Sequence, residues 1–146
     1  MKIILPKPKI LLAFLFFAVF LFGNMVSGQT TGDYRSNPTV ASGGYYDWTT
    51  VSNWEYYNGA SWVTPSGTSP QGYPGQYSGT GTVTIRNSHD ITVGANIPNN
   101  FTALVIGEGT SGKLSVSSDS TLRTTSVTIN SNAVMSFGQN IKITFL

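Results

Sequence analysis

Five apolar pairs, Val83/Ile85, Ile91/Val93, Leu104/Ile106, Leu114/Val116 and Val127/Ile129, each flank one residue that is usually polar. Period-two alternation of this kind is the mark of a half-buried strand, and helical spacing is missing from the same stretch. The pairs also repeat. Val83 is followed by Leu104 and then Val127, Ile91 by Leu114 and then Val134, and Leu122 by Ile143. All three series share a period of about 22 residues, inside the range of solenoid repeats. A meander or sandwich spaces its strands at about 8 to 12 residues but has no reason to repeat every second or third strand. A parallel β-helix does, because each coil returns its strands over those of the coil before and stacks inward aliphatic side chains along the axis. The expected fold is therefore all-β: a right-handed parallel β-helix of about three coils, with almost no helix. An antiparallel β-sandwich is the alternative.

The choice turns on the polar corners. Asn87-Ser88-His89-Asp90 separates two strands, and the same place one period later holds Gly107-Glu108-Gly109-Thr110-Ser111-Gly112, then Asn130-Ser131-Asn132. Gly and Asn accept the left-handed backbone that a bend between two faces requires. A four-residue polar loop is equally able to close a hairpin.

Ahead of the repeats lie three further zones. Lys2, Lys7 and Lys9 precede an apolar run from Ile10 to Phe22 and the small residues Val26-Ser27-Gly28, which is the layout of a secretory signal peptide over 1–28. That run is shorter than the roughly 20 residues a membrane-spanning helix needs, and no later segment qualifies. Residues 29–44 read as a loose polar lead-in or an edge strand. Residues 45–78 hold all three Trp and six of the seven Tyr between the turn residues Asn58-Gly59, Pro65-Ser66-Gly67 and Pro74-Gly75. They read as an aromatic cap, and 79–146 as the coils, stopping in mid-pattern as though truncated.

Removing the leader takes three of the eight basic residues and none of the six acidic ones, so the exported part is close to neutral. Nucleic acid is not an expected partner. With no Cys, a disulfide framework and a lipid-anchored cysteine are both ruled out, and the core alone must hold the fold.

The stretch "YYDWTTVSNWEYYNGASWV" followed by "TVTIRNSHDITV" resembles the N-terminal domain of large secreted surface proteins of gliding Bacteroidetes and, more distantly, the eight-glycine domain of cell-surface proteins. The resemblance rests on Trp48, Trp54, Gly59, Trp62, Pro65 and His89 with its flanking strands; Ser88 departs from it, standing where the pattern more often has Gly. It implies a β-helix opened by a Trp-rich segment, a secreted or cell-surface location, and export by the type IX route.

Catalytic chemistry finds little to work with. His89 is the only His, so neither a His/Cys metal site nor a Ser/His/Asp arrangement assembles, and its ring is expected to bond a backbone carbonyl at the corner. Asp90, Glu108 and Asp119 fall on different sides of a coil of this period, with Glu108 beside Arg86 as a ladder pair and Asp90 above Gly112. No metal, cofactor or catalytic residue is assigned. Trp48, Trp54, Tyr56, Tyr57 and Trp62 could instead line a glycan platform, since indole and phenol faces stack on sugar rings. Equally, they could seal the first coil, with Trp54 and Trp62 as cross-strand partners. The functional expectation is a non-enzymatic structural or adhesion module at the start of a longer cell-surface protein. A carbohydrate-binding module and the N-terminal part of a polysaccharide-degrading β-helix enzyme are the alternatives, with extracellular glycans or cell-surface components as partners.

Overall fold

The computed structural model describes residues 28–37, 45–117 and 119–146. The expected signal peptide, apart from Gly28, and residues 38–44 of the expected lead-in lie outside these. Eleven strands and one 3-10 turn, Val51–Asn53, make up the regular structure, with no α-helix among the described residues. The strands are β1 (Tyr34–Ser36), β2 (Tyr45–Asp47), β3 (Trp54–Tyr57), β4 (Trp62–Val63), β5 (Thr80–Ile85), β6 (Asp90–Val93), β7 (Phe101–Ile106), β8 (Lys113–Val116), β9 (Thr121–Ile129), β10 (Val134–Phe137) and β11 (Lys142–Phe145). They form a mixed seven-stranded sheet, ordered β11-β9-β7-β5-β1-β3-β4, and a four-stranded sheet, ordered β10-β8-β6-β2.

From β5 onward every pairing is parallel, and consecutive strands never pair with one another. Val83 lies beside Leu104 and Leu104 beside Val127; Ile85, Ile106 and Ile129 follow in the next row. In the other sheet Ile91 lies beside Leu114, and Leu114 beside Met135 rather than the expected Val134. A third column joins Leu122 to Ile143, and the Ile97 amide reaches the Thr121 carbonyl beneath it. Parallel pairing overturns both the hairpin reading of the corners and the sandwich alternative for this region. Inward side chains of like shape stack because the offset returns every second residue to the same face. Val83, Ile85, Ile91, Val93, Leu104, Ile106, Leu114, Val116 and Leu122 are buried. Each contributes roughly 1.5–3 kcal/mol of transfer free energy.

The corners stack as well. Ser88 and Asn132 adopt left-handed backbone, with φ of 64° and 60°. Gly107 needs its missing side chain, because a Cβ there would strike the carbonyl oxygen of Ser111. Asn87 supplies the vertical link: its Oδ1 accepts the amide of Glu108 at 2.8 Å and is also approached by those of Thr110 and Ser111. One turn later Asn130 Nδ2 donates to the carbonyl of Gly107. Asparagine at a corner thus satisfies the backbone of the neighbouring corner, a place where no strand ladder can.

The aromatic zone is built differently. β1 pairs antiparallel with β3 and parallel with β5, and β3 pairs antiparallel with β4. The expected lead-in therefore supplies an internal strand of the larger sheet rather than an edge, and β2 joins the smaller sheet through β6. Across the Asn58–Ser61 turn, Tyr57 faces Trp62 and Tyr56 faces Val63, so Trp54 and Trp62 are not cross-strand partners. The turn is set by Asn58, whose Oδ1 accepts the amides of Ala60 and Ser61, both at 2.9 Å.

Candidate functional site

The five aromatic residues do not form one platform. Trp48 and Trp54 are fully buried, with ring centroids 4.8 Å apart at 65°, and Trp48 packs on Phe101 at 5.8 Å. Both indole N–H groups are committed inside, Trp48 to the Pro74 carbonyl at 2.8 Å and Trp54 to the Trp48 carbonyl at 2.7 Å. Tyr56 is buried edge-on against Tyr34, 5.2 Å away. These three rings have no face to offer a sugar. Tyr34 itself has its hydroxyl pKa raised, first by burial and then by the neighbouring Tyr56, and that hydroxyl points to the Pro70 carbonyl at 3.3 Å. Tyr57 and Trp62 remain half-buried at the surface, centroids 5.3 Å apart.

His89 sits at its corner as expected but bonds a side chain, not a carbonyl: its Nδ1 lies 2.6 Å from Ser36 Oγ. That oxygen also accepts the Arg86 amide at 2.8 Å, so one hydroxyl joins the ring and the backbone of the same corner. Burial, and then the Arg86 charge, hold the His89 pKa below its ordinary value. Ser36 is wholly buried. The pair ties β1 to the first corner and presents no exposed nucleophile.

The carboxylates are likewise engaged separately. Glu108 meets Arg86 at 3.0 Å, the pairing expected from an offset of one coil. Asp90 lies opposite Lys113, not above Gly112, with Nζ 3.0 Å from Oδ2. Asp119 is exposed in a turn at φ 60°. Among the described residues no three His, Cys, Asp or Glu side chains come together as a metal would need, and no helix is long and apolar enough to cross a membrane. Asp33, which sequence reasoning passed over, is the acid with the fullest role. Its carboxylate accepts the Thr30 amide and hydroxyl and the Thr82 amide at 2.7 Å, clamping the lead-in onto β5.

One surface feature brings several of these groups together. A groove of about 480 Å³ runs over the outer face of the larger sheet, lined among others by Gln29, Arg35, Trp62, Thr82, Thr84 and Glu108. Arg35 stands over the Trp62 ring, its guanidinium carbon 4.3 Å from the centroid, while its Nε is held 2.6 Å from Glu55 Oε2. No sequence signal marked Arg35 or Glu55. Their alliance depends on β1 lying between β5 and β3, with Arg35 opposite both Glu55 and Thr84. The arrangement can hold a ligand by contact and hydrogen bonding; it contains no paired acid and base.

Comparison of the chain with protein families, with curated proteins and with solved structures gives no match in any of the three.

Proposed function

We propose that this chain is an exported, non-enzymatic structural module: a short right-handed parallel β-helix whose leading mouth is sealed by a tryptophan-centred cap. The observation that carries the reading is the pair of parallel ladders, with like side chains stacked one repeat apart in the rows Val83–Leu104–Val127 and Ile91–Leu114–Met135. Such a body is a rigid support whose outward Thr and Ser rows face solvent, and its stability grows with each added coil. The scarcity of charge, the lack of cysteine and the amino-terminal leader pattern support export as a rod-like part of a cell-surface assembly. This agrees with the surface-protein domain that the Trp-rich opening resembles.

Duplicating one whole repeat, residues 94–116, tests the architecture. In a β-helix the extra coil inserts between existing ones and raises the melting temperature; in a fold without translational repeat it unfolds the chain. Export is tested by expressing the 146-residue chain in a bacterium and sequencing the N-terminus of the extracellular product, expected at Gln29. Retention of the intact chain inside the cell contradicts this part of the reading. Release of reducing ends or unsaturated products from a polysaccharide panel contradicts the non-enzymatic part.

A further inference from the structure

Beyond a structural role, we infer that the groove beside Trp62 is a binding site for a short neutral saccharide chain lying across strands β1, β5 and β7. Its volume of about 480 Å³ falls within the roughly 300–1,000 Å³ of small-molecule sites. From Arg35 across Thr84 to Val105 the floor crosses two strand spacings, about 10 Å, and is made of side chains adjacent in register. One end is walled by the half-buried indole of Trp62, which carries Arg35 over its ring and whose remaining surface adds an apolar contact for the C–H face of a sugar ring.

Several polar groups around this floor are unengaged. Arg35 uses Nε on Glu55, leaving its two terminal nitrogens without a partner among the described residues, and the same holds for the hydroxyls of Thr82 and Thr84 and the carboxamide of Gln29. Glu108 engages Arg86 through Oε2, so Oε1 is available as an acceptor. Donors and acceptors thus alternate around an aromatic wall, the complement of a ring bearing several hydroxyls.

Charge selects the class. Arg35 is offset by Glu55, and Glu108 by Arg86, while the buried Asp33 adds a carboxylate to the lining. An acidic sugar would meet the carboxylates of Asp33 and Glu108, and a cation would meet the guanidinium of Arg35. A neutral polyol meets neither conflict. Stacking of Arg35 on Trp62 holds the indole in place before the ligand arrives, reducing the ordering cost of binding.

Because Trp48 and Trp54 are fully buried, fluorescence accessible to acrylamide reports Trp62 alone. A panel of neutral and acidic oligosaccharides is titrated against the protein while quenching is followed. Neutral oligosaccharides are expected to protect Trp62, and Trp62→Ala to weaken their binding about tenfold in calorimetry. Thr84→Val, a near-isosteric change on the groove floor, is expected to weaken it several-fold, and Thr128→Val, in the same row but outside the groove, to leave it unchanged. Should Trp62→Ala fail to fold, Thr84→Val decides. Failure of every neutral sugar to protect Trp62, affinity untouched by Trp62→Ala and Thr84→Val, or preference for acidic sugars overturns the inference without bearing on the coil architecture.

Discussion

The two ends of the molecule solve the same problem in opposite ways. At the leading end the core of stacked aliphatic side chains stops at Trp48 and Trp54, both fully buried, under the antiparallel β1–β3–β4 layer. At the trailing end the same columns run out into solvent: Ile129 is 51% exposed, Phe137 55% and Phe145 62%. Each continues a row whose earlier members, Ile106, Val116 and Thr124, are buried. A parallel ladder has no internal means of ending, since every outermost strand presents the unpaired edge that another would use. Termination requires a segment with another geometry, and among the described residues the aromatic zone supplies one.

Replacing a cap residue and an end residue breaks the comparison most directly. Trp54→Ala empties a buried site and orphans the Trp48 carbonyl, with an expected loss of about 3–5 kcal/mol in urea unfolding. Phe137→Ala at the open end is expected to cost under about 1 kcal/mol. Phe137→Asp, with an edge now charged, should lower self-association in sedimentation at raised concentration. Equal losses from Trp54→Ala and Phe137→Ala would show that the two ends are alike after all.

Next comes the link between corners. Asn87→Ala strands the Glu108 amide and loosens the glycine corner, for an expected loss of about 1–3 kcal/mol and faster hydrogen exchange at 107–112. A smaller effect follows from pH. His89 has its pKa lowered in the folded protein, so the unfolded chain takes up the proton first. Stability is full above the ordinary histidine value of about 6.5, and it falls as pH drops from there through the lower folded value. His89→Gln should flatten that limb of the stability–pH curve; an unchanged limb would place the titration elsewhere. Ser88→Gly relieves left-handed backbone at φ 64° and is expected to stabilise by up to about 1 kcal/mol in thermal melts. Smallest of all, Arg86→Ala removes a solvent-facing ion pair and should cost below about 1 kcal/mol, less at high salt.

Much of the parallel-strand region, β5 to β11, was readable from spacing alone. The apolar pairs, their regular return, the corners and the Arg86–Glu108 ladder pair all follow from a translational repeat, in which a residue's neighbour lies one period away. The aromatic zone has no such rule. Ser36 meets His89 across 53 positions and Asp33 meets the Thr82 amide across 49, separations that belong to no period in the sequence. Trp54 and Trp62 looked like partners because they stand symmetrically about Asn58-Gly59. The hairpin closes around Asn58–Ser61 instead, moving Tyr57 opposite Trp62.

The candidate site divides the same way. That Trp and Tyr residues cluster was evident, but which of them keep a surface was decided by packing. Trp48 and Trp54 went inward because Phe101 packs on Trp48 and the carbonyls of Pro74 and Trp48, from within the aromatic zone itself, accept the two indole N–H groups. Trp62, on the short edge strand β4, stayed out with Arg35 over its ring.

Local alternation and a fixed repeat are properties of the chain itself, set by the pleat of a strand and by the need to superpose like side chains. Where the lead-in strand inserts, which indoles are covered and which polar groups meet over the groove depend on contacts between segments with no periodic relation. Those contacts join residues far apart in sequence, so no local pattern announces them.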